Sequence, residues 1–310
     1  MSTIGKTLAA SFIGALFASG IFALSFLRSD SSNVIVGIME DDRLELVNWK
    51  EGPSKNRVIL PLFEKKGNEW IRAVQQLEEL QWTIAFDGKK LGVIHSHPVE
   101  KASSYLGKTF PHIPEPKPGQ LLIIGKPSEN FCGWLNTAVN RPLILVSKNN
   151  FGDPDQWKPF QPSGDQAKLF RSVFRAENPK VTNCDENENP LPGPWKYEDS
   201  AIRITQSYRS KDGDSLAEMF LEGGRCGINP GSFAQQLFLI KADKSAVRIV
   251  IKGSDPENFG NPSLTLVDAG DYDADGKSEL IFFLSGYNED GYALFYDSFR
   301  KSVHWTWNYH

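Results

Sequence analysis

From Ala201 to the end of the chain, apolar segments of six to eight residues recur at short intervals, separated by Gly, Asp, Asn, Ser or Pro. Such spacing leaves no room for helices of ordinary length and fits antiparallel strands joined by turns. Strands are expected near 201–208, 215–221, 234–240, 246–252, 262–267, 279–285, 291–297 and 302–309. Eight strands in about 110 residues predict two four-stranded meanders. The stretches "SYRSKDGDSLAEMFLEGG" and "AGDYDADGKSELIFFLSGY" form a weak internal repeat, in which an acidic turn precedes an apolar strand that ends in Gly. Four-stranded units repeated in this way are the blades of propellers.

The N-terminal half carries the same signals less regularly. "VIVGIM" and "RLELVNW" flank "EDD", "RVILPLF" and "EWIRAV" flank "EKKGN", and "WTIAF" and "KLGVIH" flank "DGK". The last is an Asp-Gly hairpin signal, because Gly supplies the positive φ that a tight hairpin turn needs. The Pro-, Ser- and Lys-rich stretch Ser96–Gly119 reads as a long loop, followed by strands at "LLIIG" and "PLILVS". One segment departs from the β pattern. "DQAKLFRSVFRAE", 165–177, places Leu169, Phe170, Val173 and Phe174 on one helical face, with Ser163 and Asp165 available as caps. The expected fold is all-β, with propeller-like antiparallel four-stranded units and one packed helix; the alternative is two β domains. The polar, Pro-rich run 178–195 is the expected linker between an N-terminal β-rich domain, 33–177, and a C-terminal blade domain, 196–310.

Residues 1–28 read as an export segment, since Leu8–Leu27 is a run of 20 residues without a charge. A cleaved signal peptide has an apolar core of roughly 7–15 residues, and a membrane-spanning helix needs roughly 20. The run therefore fits a cleaved signal or an uncleaved N-terminal anchor, with the remaining body exported and periplasmic, extracellular or anchored to the membrane by this helix. Any membrane contact would run through this segment. The net charge of -4 and the scattered Lys and Arg leave no footprint for nucleic acid. Cys132, Cys184 and Cys226 allow one disulfide in an oxidising compartment, and the loop-like surroundings of Cys184 and Cys226 favour that pair among three possible pairings.

The stretch "DYDADGKSE" sets acidic side chains at positions 1, 3, 5 and 9, as Asp271, Asp273, Asp275 and Glu279, with Gly276 at position 6. Alternate residues of a tight loop converge their carboxylates on one point, Gly permits the sharp turn, and the Lys277 carbonyl can add a ligand. An all-oxygen cage of this kind suits Ca²⁺, which accepts roughly 6 to 8 oxygens in loose geometry. An EF-hand would need an acidic residue at position 12, where Phe282 stands, and helical flanks; "LTLVDAG" and "ELIFFLSG" are strand-like. A D-x-D-x-D-G-x-x-[DE] loop between strands resembles the FG-GAP or VCBS repeat, the calcium-bearing blade of integrin-α-type β-propellers. The likeness spans about one blade, Ser263–Tyr309, and implies Ca²⁺ ligands at Asp271, Asp273, Asp275, the Lys277 carbonyl and Glu279. The chain departs from the family in having one such loop and no recurrent Phe-Gly or Gly-Ala-Pro signature.

Other catalytic patterns are sparse. "HSHP", His95–Pro98, matches the opening of the JAMM metalloprotease zinc signature, but Tyr105 and Lys108 stand where that signature places Ser and Asp. His95 and His97, with His112 or Glu100, remain a candidate Zn²⁺ set. The final "SVHWTWNYH" alternates Trp305, Trp307 and Tyr309 on one strand face, which reads as core with a ligand-stacking face as the alternative. The expected function is an exported, calcium-stabilised binding or scaffolding module for a protein or carbohydrate ligand. The alternative is an exported hydrolase of carbohydrate or peptide, with a propeller-mouth site or a zinc site at His95 and His97.

Overall fold

The computed structural model describes residues 33–41, 57–73, 79–98, 120–123, 142–187, 189–221, 235–250, 262–285 and 289–308. Residues 1–28, expected as an export segment, and Cys132, Cys226, Glu100, His112 and Tyr309 lie outside them.

The first seven strands are β1 (Ile35–Asp41), β2 (Arg57–Lys66), β3 (Glu69–Arg72), β4 (Gln81–Phe86), β5 (Lys89–Pro98), β6 (Gln120–Ile123) and β7 (Leu143–Val146). They form one sheet in the order β1-β7-β4-β5-β6-β2-β3, and β1 also pairs with β2, so the ladder order returns on itself. The β2–β3 and β4–β5 hairpins stand where the turn signals put them. At the β4–β5 turn Asp87 and Gly88 both take positive φ, 50° and 67°, as a tight Asp-Gly turn requires. The described strands of this half form this one seven-stranded sheet. Its two parallel ladders, β5–β6 and β2–β6, arise because the long connection after Pro98 lets the chain return in the same direction, which no hairpin can do.

After β8 (Lys158–Pro159) comes helix α1 (Gly164–Glu177), then the ribbon of β9 (Thr182–Cys184) and β10 (Pro190–Pro194). The Ser163 hydroxyl accepts from the Gln166 N–H, and the Gln166 side chain accepts from the Ser163 N–H, a reciprocal capping box. Of the two residues available as caps, Ser163 fills the role.

The C-terminal meanders follow closely on the expected segments. The first is β11 (Ile202–Arg209), β12 (Ser215–Leu221), β13 (Gln235–Ile240) and β14 (Ala246–Ile249), edged by β8. The second is β15 (Ser263–Gly270), β16 (Glu279–Ser285), β17 (Glu289–Tyr296) and β18 (Lys301–Asn308).

The β15–β18 sheet is the central layer, and its strands are apolar on both faces for that reason. Ile281, Tyr292, Leu294 and Trp305 pack with Val36, Ile38, Leu62 and Ile144 of the N-terminal sheet. Leu280, Phe282, Leu284 and Phe295, on the opposite face, pack with Leu216, Leu237 and Leu239 of the first meander. The far side of that meander is covered by Phe170 and Phe174 of α1, which meet Ala217, Met219, Phe238 and Ile240. Burying each such phenylalanine stabilises by about 1.5–3 kcal/mol.

Between the two meanders the buried Glu218 carboxylate accepts from Ser263 Oγ (2.9 Å), Leu264 N (3.0 Å), Thr205 Oγ1 (2.7 Å) and Gln206 Nε2 (3.0 Å). Four hydrogen bonds to one carboxylate tie the sheets in register and offset its loss of water.

Asn33–His310 form one compact unit. The segment 178–195, expected as the linker between 33–177 and 196–310, lies within this unit. Val181, Trp195 and Tyr197 join the cluster that α1 shares with β11–β13. Its polar, Pro-rich composition includes the solvent-exposed β10 strand. Cys184 is disulfide-bonded.

Candidate metal centre

The loop 271–278 closes the β15–β16 hairpin, whose last pair is Gly270 with Glu279. Its tight path depends on two residues with positive φ, Ala274 at 62° and Gly276 at 86°. Gly276 meets this at no steric cost, whereas a side chain there would be strained. The Asp271 carboxylate accepts from Asp275 N (2.8 Å) and Gly276 N (3.0 Å), and the Asp275 carboxylate accepts from Lys277 N (2.9 Å). These bonds fold the loop around its own acidic side chains. One carboxylate oxygen from each of Asp271, Asp273 and Asp275 lies within 4.8 Å of the others.

Three of the five expected ligands are thus brought together. Glu279, the fourth, is buried at the start of β16, and its Oε2 accepts from Tyr272 N (2.8 Å). Lys277 directs its amine to Asp297 Oδ1 at 3.7 Å, away from the cluster; its expected contribution is its carbonyl. Phe282 lies in the core of β16, which accords with strand flanks and not with an EF-hand.

Two supports come from far away in the sequence. Asp271 N donates to Gly152 O (2.7 Å), and Ser278 Oγ donates to Asp153 Oδ1 (2.6 Å). Asp153 also accepts from Asp155 N, Gln156 N and Trp157 N, so a second acidic turn buttresses the first. From β2, the Lys65 ammonium forms an ion pair with Asp273 Oδ2. The local spacing of "DYDADGKSE" contains neither partner. "GDPD", Gly152–Asp155, is visible as a turn, but nothing near it in sequence points to the hairpin it braces.

The electrostatics follow from crowding. Burial, and then the charges of Asp273, Asp275 and Asp271, push the Glu279 carboxyl from its ordinary 4.5 up to about 8, against a smaller opposing effect of the Tyr272 N–H. Burial also raises Asp271. Between pH 4.5 and about 8 the folded chain therefore holds a proton on Glu279 that the unfolded chain has lost, and stability falls as pH rises through that window. Denaturation in the presence of chelator should give a lower midpoint at about pH 8.5 than at about pH 5.5. Equal midpoints would show that Glu279 ionises in the fold without penalty.

All the donors here are oxygens, so the arrangement suits a hard cation and offers neither thiolate nor imidazole for zinc. Of the other candidate set, His95 is exposed on β5, Ser96 between the histidines is buried, and His97 lies in the same strand. Trp305 is buried in the core, as expected for the aromatic C-terminal strand; Trp307 also lies in β18. Among the described residues no helix is long and apolar enough to cross a membrane. Comparison of the chain with protein-family models, curated proteins and solved structures gave no match.

Proposed function

We propose that this protein is an exported, calcium-stabilised β module that presents a binding or scaffolding surface at the cell envelope or outside the cell. The observation that carries the reading is the convergence of the Asp271, Asp273 and Asp275 carboxylates within 4.8 Å on a hairpin loop between two core strands. The loop motif and the four-stranded unit around it support the resemblance to a calcium-bearing FG-GAP or VCBS blade. Export is supported by the uncharged run Leu8–Leu27 and the disulfide at Cys184, a bond that persists in oxidising compartments. The ligand is a protein or a carbohydrate.

Calcium in this reading is a staple. It would be held by Asp271, Asp273, Asp275 and Glu279 with the Lys277 carbonyl, and would supply the positive charge that allows the carboxylates to stay ionised together. A ligand that binds only the folded state stabilises it by about 2.7 kcal/mol at a hundredfold excess over Kd, which for a domain of this size corresponds to roughly 5–10 °C. Scanning calorimetry should show the melting temperature rising by that amount in Ca²⁺ and returning on addition of chelator. Asp271→Asn should lose the response. An unresponsive melting temperature, together with no bound metal by elemental analysis, would defeat the proposal.

A further inference from the structure

The acidic loop has a second candidate cation besides any metal, and it belongs to the chain. Lys65, near the end of β2, reaches across from the N-terminal sheet to Asp273 Oδ2. This is not a loose surface pair. The Lys65 side chain is 17 % exposed and that of Asp273 is 5 % exposed. The ammonium lies 5.4 Å from the centroid of the Trp70 ring and 5.7 Å from that of Tyr296, so aromatic faces from β3 and β17 hold it in place. The Tyr296 hydroxyl is fixed in turn by donating to Glu69 Oε2 (2.7 Å). The charge on Lys65 is thus positioned by groups outside the acidic loop and delivered to one of the three clustered carboxylates.

We propose that Lys65 is a built-in competitor that sets the calcium affinity of the loop. The inference rests on the calcium reading given above and specifies its regulation. With no metal bound, the ammonium neutralises Asp273 and ties the loop to the N-terminal sheet. A divalent cation that takes Asp273 must either displace that ammonium or bind beside a positive charge, and both weaken its binding. Calcium binding and the Lys65–Asp273 bridge are thus linked. The metal loosens a contact between the N-terminal sheet and the hairpin, while a protein lacking the ammonium binds the metal more tightly.

The test is a calorimetric Ca²⁺ titration of the full chain as wild type, Lys65→Met, Lys65→Gln and Lys65→Arg. Methionine keeps an apolar stem against Trp70 and Tyr296 and removes the charge; glutamine is a second neutral form, and arginine keeps the charge. A positive charge within a few ångströms of a divalent ion opposes it strongly even with substantial solvent screening, so the two neutral variants should bind Ca²⁺ about tenfold more tightly or better. Arginine should stay within about threefold of wild type. The Ca²⁺-induced rise in melting temperature should also be larger in the neutral variants, whereas a purely structural strut would lower the melting temperature equally with and without metal. Calcium binding by the neutral variants alone would also support the proposal. Equal or weaker binding by the neutral variants, with wild type binding normally, would overturn the role of Lys65 and leave the calcium reading standing. No binding by any of the four would overturn both.

Discussion

A chain ending at Ser302 is expected to yield no soluble folded protein. Removing Val303–His310 leaves only two residues of β18 and strips the partners from Gly291 through Leu294 of β17, which pair with Thr306, Trp305, His304 and Val303. The fit there is close. A Cβ placed on Gly291 would lie 2.3 Å from the Trp305 carbonyl oxygen, so β17 has a glycine where the β18 backbone crosses it. Trp305 itself is 5 % exposed and joins the cluster that binds the central sheet to the N-terminal one. Losing one buried tryptophan costs about 3–5 kcal/mol. The truncation adds the exposure of Tyr292 and Leu294 and of an apolar strand edge, against a total stability for a typical protein of about 5–15 kcal/mol. Expression with size-exclusion chromatography and circular dichroism decides it. A soluble chain with native strand content would mean that the aromatic C-terminal strand serves a ligand and not the core.

Trp82→Ala should lower the melting temperature by about 10 °C, from a loss of about 3–5 kcal/mol. Trp82 is fully buried on β4, in a cluster with Ile35, Met39, Ile59, Ala73 and Leu145 on the face turned away from the central sheet. Its Nε1–H donates to Ser96 Oγ (2.8 Å), so the indole both fills the space and satisfies the buried serine between the two histidines. Trp82→Phe keeps most of the apolar volume and removes that donor, and should cost only about 1–2 kcal/mol. The cluster shares no residue with the acidic loop, so the loss from Trp82→Ala should be the same in Ca²⁺ and in chelator. Equal effects of Ala and Phe in urea denaturation would show that volume does not matter at this position. A loss that depended on calcium would show that the two regions are coupled.

The most legible parts of the fold were those with short sequence separation. Helix α1 could be read from Leu169, Phe170, Val173 and Phe174 on one face and from its Ser163 cap, and the structure places Phe170 and Phe174 in the core at those positions. The meanders could be read because each strand pairs with the next, so turn chemistry and alternation fix both members. The N-terminal sheet could not. β1 pairs with β7, and β2 with β6, across long intervening segments, and no local pattern encodes which distant strand will lie beside which. The segment 178–195 shows the limit of composition, since an exposed ribbon such as β9–β10 and a linker have the same polar, proline-rich make-up.

The acidic loop shows the same division. Asp271, Asp273, Asp275 and Gly276 act through bonds spanning a few residues, so their spacing alone determined that carboxylates would converge in a tight turn. Whether that turn stands as an isolated surface feature or as a braced and partly neutralised centre depends on Asp153 and Lys65. Lys65 is 208 residues away from the aspartate it meets. Local hydrogen bonding and steric preference act over a few residues and are written in the sequence. The charge that balances the loop comes from β2 of the N-terminal sheet, the burial that raises Glu279 comes from the packing around the start of β16, and the tertiary structure alone decided both.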